Sequence, residues 1–167
     1  MYTKEDLIHD FEELIPWMEK PKKHNGQLFF KPIAVGKWTA AEIFAHIIYW
    51  DNYMMEVTIP KMTQGAEVES IGFQELNDKA SVYALSGISA DQLIDELILG
   101  RKELIAVLRK KTVEQFFAEY KLNGEKIDIY SGYPHTLFNY ISAFVWHDHH
   151  HKQQVIDFLD KNVKQHQ

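Results

Sequence analysis

The chain contains no cysteine among its 167 residues. That excludes disulfides and thiolate metal sites, leaves His, Asp and Glu as the ordinary strong ligands, and fits a reducing cytoplasmic location. Long apolar runs are missing as well. A membrane-spanning helix needs about 20 consecutive apolar residues, and the polar start Met1-Tyr2-Thr3-Lys4-Glu5-Asp6 lacks the basic and apolar regions of a signal peptide. No membrane partner is expected. Positive charge is scarce: 18 Lys and Arg against 24 Asp and Glu leave a formal net charge of −6. A nucleic-acid backbone calls for clustered cations to displace its counterions, so nucleic acid is not expected as a partner. No Gly-rich phosphate loop, Walker motif or Ser-His-Asp order appears.

What is present is helical patterning over a length that suits one domain spanning residues 1–167. The first helix is predicted from about Lys4 to Lys20, capped by Thr3, with Leu7, Phe11, Leu14, Ile15 and Met18 on one face. Pro16 lies inside it and predicts a kink or an early end. Thr39-Ala40-Ala41-Glu42 and Ser89-Ala90-Asp91-Gln92 read as capping boxes. The helices they open run to about Thr58, before Pro60, and to about Lys111. Gly100 sits mid-helix in the latter, where it costs roughly 1 kcal/mol relative to Ala. A shorter helix is predicted over Phe73 to Leu85. Around Asn123-Gly124, Tyr120 to Ile129 alternates as a β-hairpin would. Thr136 then caps a last helix reaching about Val163. The expected fold is all-α, a four-helix bundle with a short irregular or hairpin insertion before the last helix.

The segment Trp146-His147-Asp148-His149-His150-His151-Lys152-Gln153-Gln154 carries the chemistry. His147 and His151 are four residues apart and share a helix face with Leu137, Ile141, Phe144, Val155 and Phe158, so both point inward. An inward imidazole must find a partner, and one metal ion satisfies two at once. His149 falls about 200° round the helix and is expected in solvent, whereas His150, about 60° off, is a reserve ligand. Asp148, about 100° off, is read as a surface charge; it is not the Glu of an H-E-x-x-H protease.

Two ligands leave a site incomplete, since a catalytic zinc-like centre has three plus an open position. His46 is the third candidate, sharing a face of the second helix with Ile43, Trp50, Tyr53 and Val57. His9, flanked by Glu5, Asp6, Glu12 and Glu13, belongs to a solvated face. The competing interpretation is a set of core histidines bonded to Tyr, Gln or backbone carbonyls. Trp50, Tyr53 and Trp146 either line a pocket or are plain core, and Gln154 either orients a ligand or meets solvent. Asp51 and Glu42 are candidate general bases by nearness alone.

Gly36-Lys37-Trp38-Thr39-Ala40-Ala41-Glu42-Ile43-Phe44-Ala45-His46-Ile47-Ile48-Tyr49-Trp50-Asp51, with His147 to Val155, resembles the two signature regions of the DinB-like (YfiT-like) metal-dependent hydrolases. The resemblance implies a four-helix bundle, commonly homodimeric, in which His46, His147 and His151 hold a divalent zinc or nickel ion and Gln154 matches the Gln that follows the pair. It also implies a small-molecule substrate, and in some members a low-molecular-weight thiol such as bacillithiol or mycothiol. The expected activity is metal-dependent hydrolysis or thiol-dependent transfer, the alternative a non-catalytic metal- or small-molecule-binding bundle. Tyr2, Trp17, Phe29, Phe30 and Phe117 exceed what the inward stripes need and are expected to support the homodimer.

Overall fold

Reciprocal caps decide where several helices begin. The side chains of Thr3, Thr39, Ser89 and Thr112 each accept the amide of the third residue onward, and Asp6, Glu42, Gln92 and Gln115 accept the cap amide in return. Each box satisfies two donors that the helix itself leaves free. In the computed structural model, which describes residues 1–24 and 26–164, the helices are α1 (Lys4–Glu12), α2 (Ile15–Met18), α3 (Gly26–Phe29), α4 (Ala40–Tyr53), α5 (Phe73–Ala84), α6 (Ala90–Lys110), α7 (Val113–Phe117) and α8 (Leu137–Lys164). α4 packs along α5 and α6, α1 lies against α6 and α8, and α4 also meets α8. The architecture is all-α, a four-helix bundle on α1, α4, α6 and α8, with α5 laid on α4. Phe11, Leu14, Met18, Phe44, Leu104, Leu108 and Ile141 form its buried centre.

The predicted first helix does not run unbroken to Lys20. It stops at Glu12 and restarts at Ile15, placing Pro16 in the first turn of α2, where the missing amide has no helical partner to lose. The second helix leaves α geometry after Tyr53, widens into a π turn over Met54–Thr58 and closes in a 3-10 turn over Ile59–Lys61. Pro60 falls in that turn's opening, so the predicted stop before it is corrected for the same reason.

The hairpin reading also needs correction. Asn123 and Gly124 have φ of 50° and 85°, and Leu122 and Glu125 exchange backbone bonds of 2.9 and 3.0 Å, so the tight turn forms. The flanking residues do not continue it as a ladder. β2 (Lys121–Leu122) pairs in parallel with β1 (Glu67–Val68), from the loop after α4. A second bridge joins Ile127 to Pro134. The local alternation has been taken up by a distant partner, fastening two loops together. Among the described residues no helix is long and apolar enough to cross a membrane. Trp17 and Phe29, expected as surplus aromatics, are only 2% exposed and pack edge-on against Phe44, so they belong to the core.

Candidate metal centre

α4 presents His46 from its middle turns, between Ile43 and Ile47, and burial leaves the residue 5% exposed. The cap that starts α4 also builds the wall behind it. Glu42 spends one carboxylate oxygen on the Thr39 amide and the other on the Ser81 hydroxyl of α5, at 2.6 Å. One helical turn before Ser81, Asn77 meets His46 Nδ1 with its side-chain oxygen at 2.8 Å. α8 supplies His147 and His151 from successive turns of one face. Their Nδ1 atoms face Asp148 Oδ1 at 2.9 Å and Gln154 Oε1 at 2.8 Å.

All three Nδ1 atoms therefore donate to oxygen. Neutral imidazole carries one N–H, so each Nε2 is left with a bare lone pair. These three lone pairs converge: His147 Nε2 lies 2.9 Å from His46 Nε2 and 3.2 Å from His151 Nε2. Three acceptors at that range repel unless a cation sits among them. Protonation of the partners is disfavoured, because burial first, then the neighbouring imidazoles, lower His46 to about 3; burial chiefly lowers His151 to about 4. Bonds of about 2.0–2.1 Å from one metal, meeting at about 90–110°, would set nitrogens roughly 2.9–3.4 Å apart. The donor set fits a divalent ion in number, spacing and tautomer.

Trp38 stacks over His151 with ring centroids 6.5 Å apart and tilts against His46 at 5.1 Å. Trp50 meets His46 edge-on and Phe144 meets His147 likewise. The His147 side chain retains 29% exposure, which leaves the cluster a path to solvent. Tyr53 does not face the imidazoles; its hydroxyl accepts the Ile71 amide at 2.7 Å and its ring braces Trp50. Trp146 is 72% exposed and stacks on the exposed His150, so neither joins the cluster. His149 is exposed, as expected.

Asp148 is not a surface charge. It is 1% exposed, and besides holding His147 it accepts Arg101 Nη2 at 2.5 Å. The 100° offset from His147 carries it into the bundle rather than out, toward α6. Arg101 is fully buried, grips Asp51 through Nε and Nη2 at 2.8 and 3.0 Å, and lies over the Phe11 ring at 3.9 Å. Burial raises Asp51 to about 6 in spite of Arg101. For Asp148 the same burial is outweighed by Arg101 and His147, and its pKa falls below the ordinary value. Asp51 and Glu42 are thus both engaged and neither faces the cluster as a free base. Arg101, Asn77 and Trp38 were not among the expected site residues. Arg101 had a visible signal, since it interrupts the apolar stripe Leu97, Leu104, Ile105, Leu108 of α6.

The DinB superfamily model matches residues 17–155. Among curated proteins none matches the sequence. Of solved structures, YfiT from Bacillus subtilis, described as a probable metal-dependent hydrolase with an unusual four-helix bundle topology, is 16% identical with a TM-score of 0.67, covering 95% of this chain and 86% of that one. An uncharacterized protein from Clostridium difficile 630 is 13% identical with a TM-score of 0.72, covering 96% and 97%. The colibactin self-resistance protein ClbS, in complex with a dsDNA, is 16% identical with a TM-score of 0.67, covering 95% and 96%. At such identities the likeness is one of fold. It nevertheless overturns the exclusion of nucleic acid drawn from net charge, because a bundle of this fold is found with duplex DNA. With the family model covering most of its length, the chain belongs to the DinB superfamily.

Proposed function

We propose that the chain, as a single domain over residues 1–167, is a cytoplasmic metal-dependent enzyme in which His46, His147 and His151 hold one zinc or nickel ion for group transfer onto, or hydrolysis of, a small molecule. The observation that carries this reading is the convergence of three Nε2 lone pairs whose opposite nitrogens are each tied to an oxygen. A divalent ion there supplies Lewis acidity, polarising a substrate oxygen and lowering the pKa of a water or thiol nucleophile. The protein's part is orientation: Asn77, Asp148 and Gln154 fix the three rings, while Trp38, Trp50 and Phe144 border the cluster with apolar surface.

Of the two reactions, thiol transfer asks less of this site. Both candidate carboxylate bases are engaged elsewhere, and a thiol needs none, because a divalent ion holds a coordinating thiol as the thiolate, whereas a bound water still has protons to shed during attack. The same engagement favours the second reading, a bundle that binds a metal or small molecule without turnover. A substrate screen on zinc- and nickel-loaded protein, run with and without low-molecular-weight thiols, separates them. Thiol-dependent turnover abolished by His147→Ala supports the enzyme; metal binding with no turnover under any condition supports the binding module. A homodimer is part of the proposal, resting on the half-exposed Tyr2 and Phe117, which pack against Phe138. Light scattering that returns 19.6 kDa at every concentration contradicts it.

A further inference from the structure

The buried ions beside the cluster do not balance. Asp51 and Asp148, 2% and 1% exposed, share one guanidinium that is 0% exposed, which leaves one excess negative charge in the interior. Uncompensated buried charge is among the most unfavourable features a fold can carry. Among the described residues, the ion pairs of Asp51 and Asp148 are with Arg101 and with His147, and His147 is a cation only when protonated; as a neutral metal ligand it leaves the charge unbalanced. Asp148 is the carboxylate of the pair that reaches the cluster, its second oxygen holding the His147 ring.

We propose that Asp51, Arg101 and Asp148 form a built-in counter-charge for the cation at the three-histidine cluster, with Arg101 and Asp51 acting as positioning residues through Asp148. This rests on the reading of the cluster as a metal centre. Arg101 sets both the place and the size of the charge. Its fork binds Asp51 at two points and passes Nη2 on to Asp148 Oδ2, so the carboxylate can turn only its Oδ1 toward His147. A single carboxylate would orient the ring equally well; the second carboxylate and the arginine make a rigid assembly of net −1. With a divalent ion bound, two positive charges meet one negative charge, and the surplus on the ion is what an anionic ligand, such as a thiolate or a carboxylate, would neutralise.

The test is zinc affinity, measured by competition with a chelating dye on the full chain. Asp51→Asn keeps an oxygen for Arg101, leaves the His147–Asp148 bond untouched and takes the assembly to zero charge; affinity is expected to fall about tenfold, in the range found for groups that support metal ligands. Asp51→Asn combined with Arg101→Met restores net −1 on Asp148 alone, and affinity is expected to return to within about threefold of the wild type. A merely structural role makes the double variant at least as weak as the single one. That result overturns the proposal, as does an unchanged affinity in Asp51→Asn. If Asp51→Asn fails to fold, the double variant decides against the wild type: a tenfold or greater loss overturns the counter-charge. A wild type that binds no zinc overturns the metal reading as well, which keeps the two failures distinct.

Discussion

Lowering the pH from 8 to 5 is expected to destabilise the metal-free protein by about 2–3 kcal/mol. His46 and His151 stay neutral in the fold, with pKa values of about 3 and about 4 against 6.5 when unfolded. Below pH 6.5 the unfolded chain binds protons that the folded one refuses, so stability falls with pH; over about 1.5 units at 1.36 kcal/mol each, the loss is roughly 2 kcal/mol per group. Asp51 opposes this. Raised to about 6 from 3.8, it holds a proton in the fold at pH 5 that the unfolded chain has released, returning roughly 1 kcal/mol. Asp148, lowered by its partners, loses its contribution only below the ordinary carboxylate value, outside the window. The net figure corresponds to about 5–10 °C in Tm for a chain of this size. Urea unfolding of chelator-treated, dialysed protein at both pH values reads it directly. A stability that is flat or rises toward pH 5 refutes the neutral-imidazole cluster. Bound metal should hold the profile level until the ion is released.

Gly100→Ala should stabilise by about 0.5–1 kcal/mol, because the new Cβ meets only Asn52 Oδ1 at an ordinary 3.8 Å and the unfolded chain loses freedom; a lower Tm counts against this packing of α6. Thr39→Ala removes the cap of α4 and should cost about 1 kcal/mol in chemical denaturation. Arg101→Ala strands two buried carboxylates and should cost about 3–5 kcal/mol, far more than a surface change such as Lys102→Ala, when both are measured by thermal unfolding at pH 7. Equal effects from the two would show that Asp51 and Asp148 are not buried on Arg101.

Features encoded within one turn of chain were legible in the sequence. The boxes at Thr39–Glu42 and Ser89–Gln92 open their helices where the spacing predicts. The four-residue step from His147 to His151 places two rings together whatever the tertiary fold. His46 followed from its apolar neighbours and from the family signature, and the structure brings it to the pair. What escaped was set by partners far along the chain. Asp148 looks like solvent-facing charge until Arg101, 47 residues away, is known to lie beside it. Asn77 gains its role only when Ser81 docks on Glu42. Lys121 and Leu122 alternate as a local hairpin would but find their ladder at Glu67 and Val68. The break before Pro16 was visible as a residue, yet its position depended on how proline fits a first turn.

Metal content decides whether the three converging imidazoles form a metal centre. Protein purified without a nickel column and analysed by elemental mass spectrometry should carry close to one zinc or nickel per chain, or take up one from added salt, and His46→Ala, which removes one of the three converging nitrogens, should sharply reduce that ratio. A wild-type ratio near zero that zinc and nickel salts do not change would contradict the central claim.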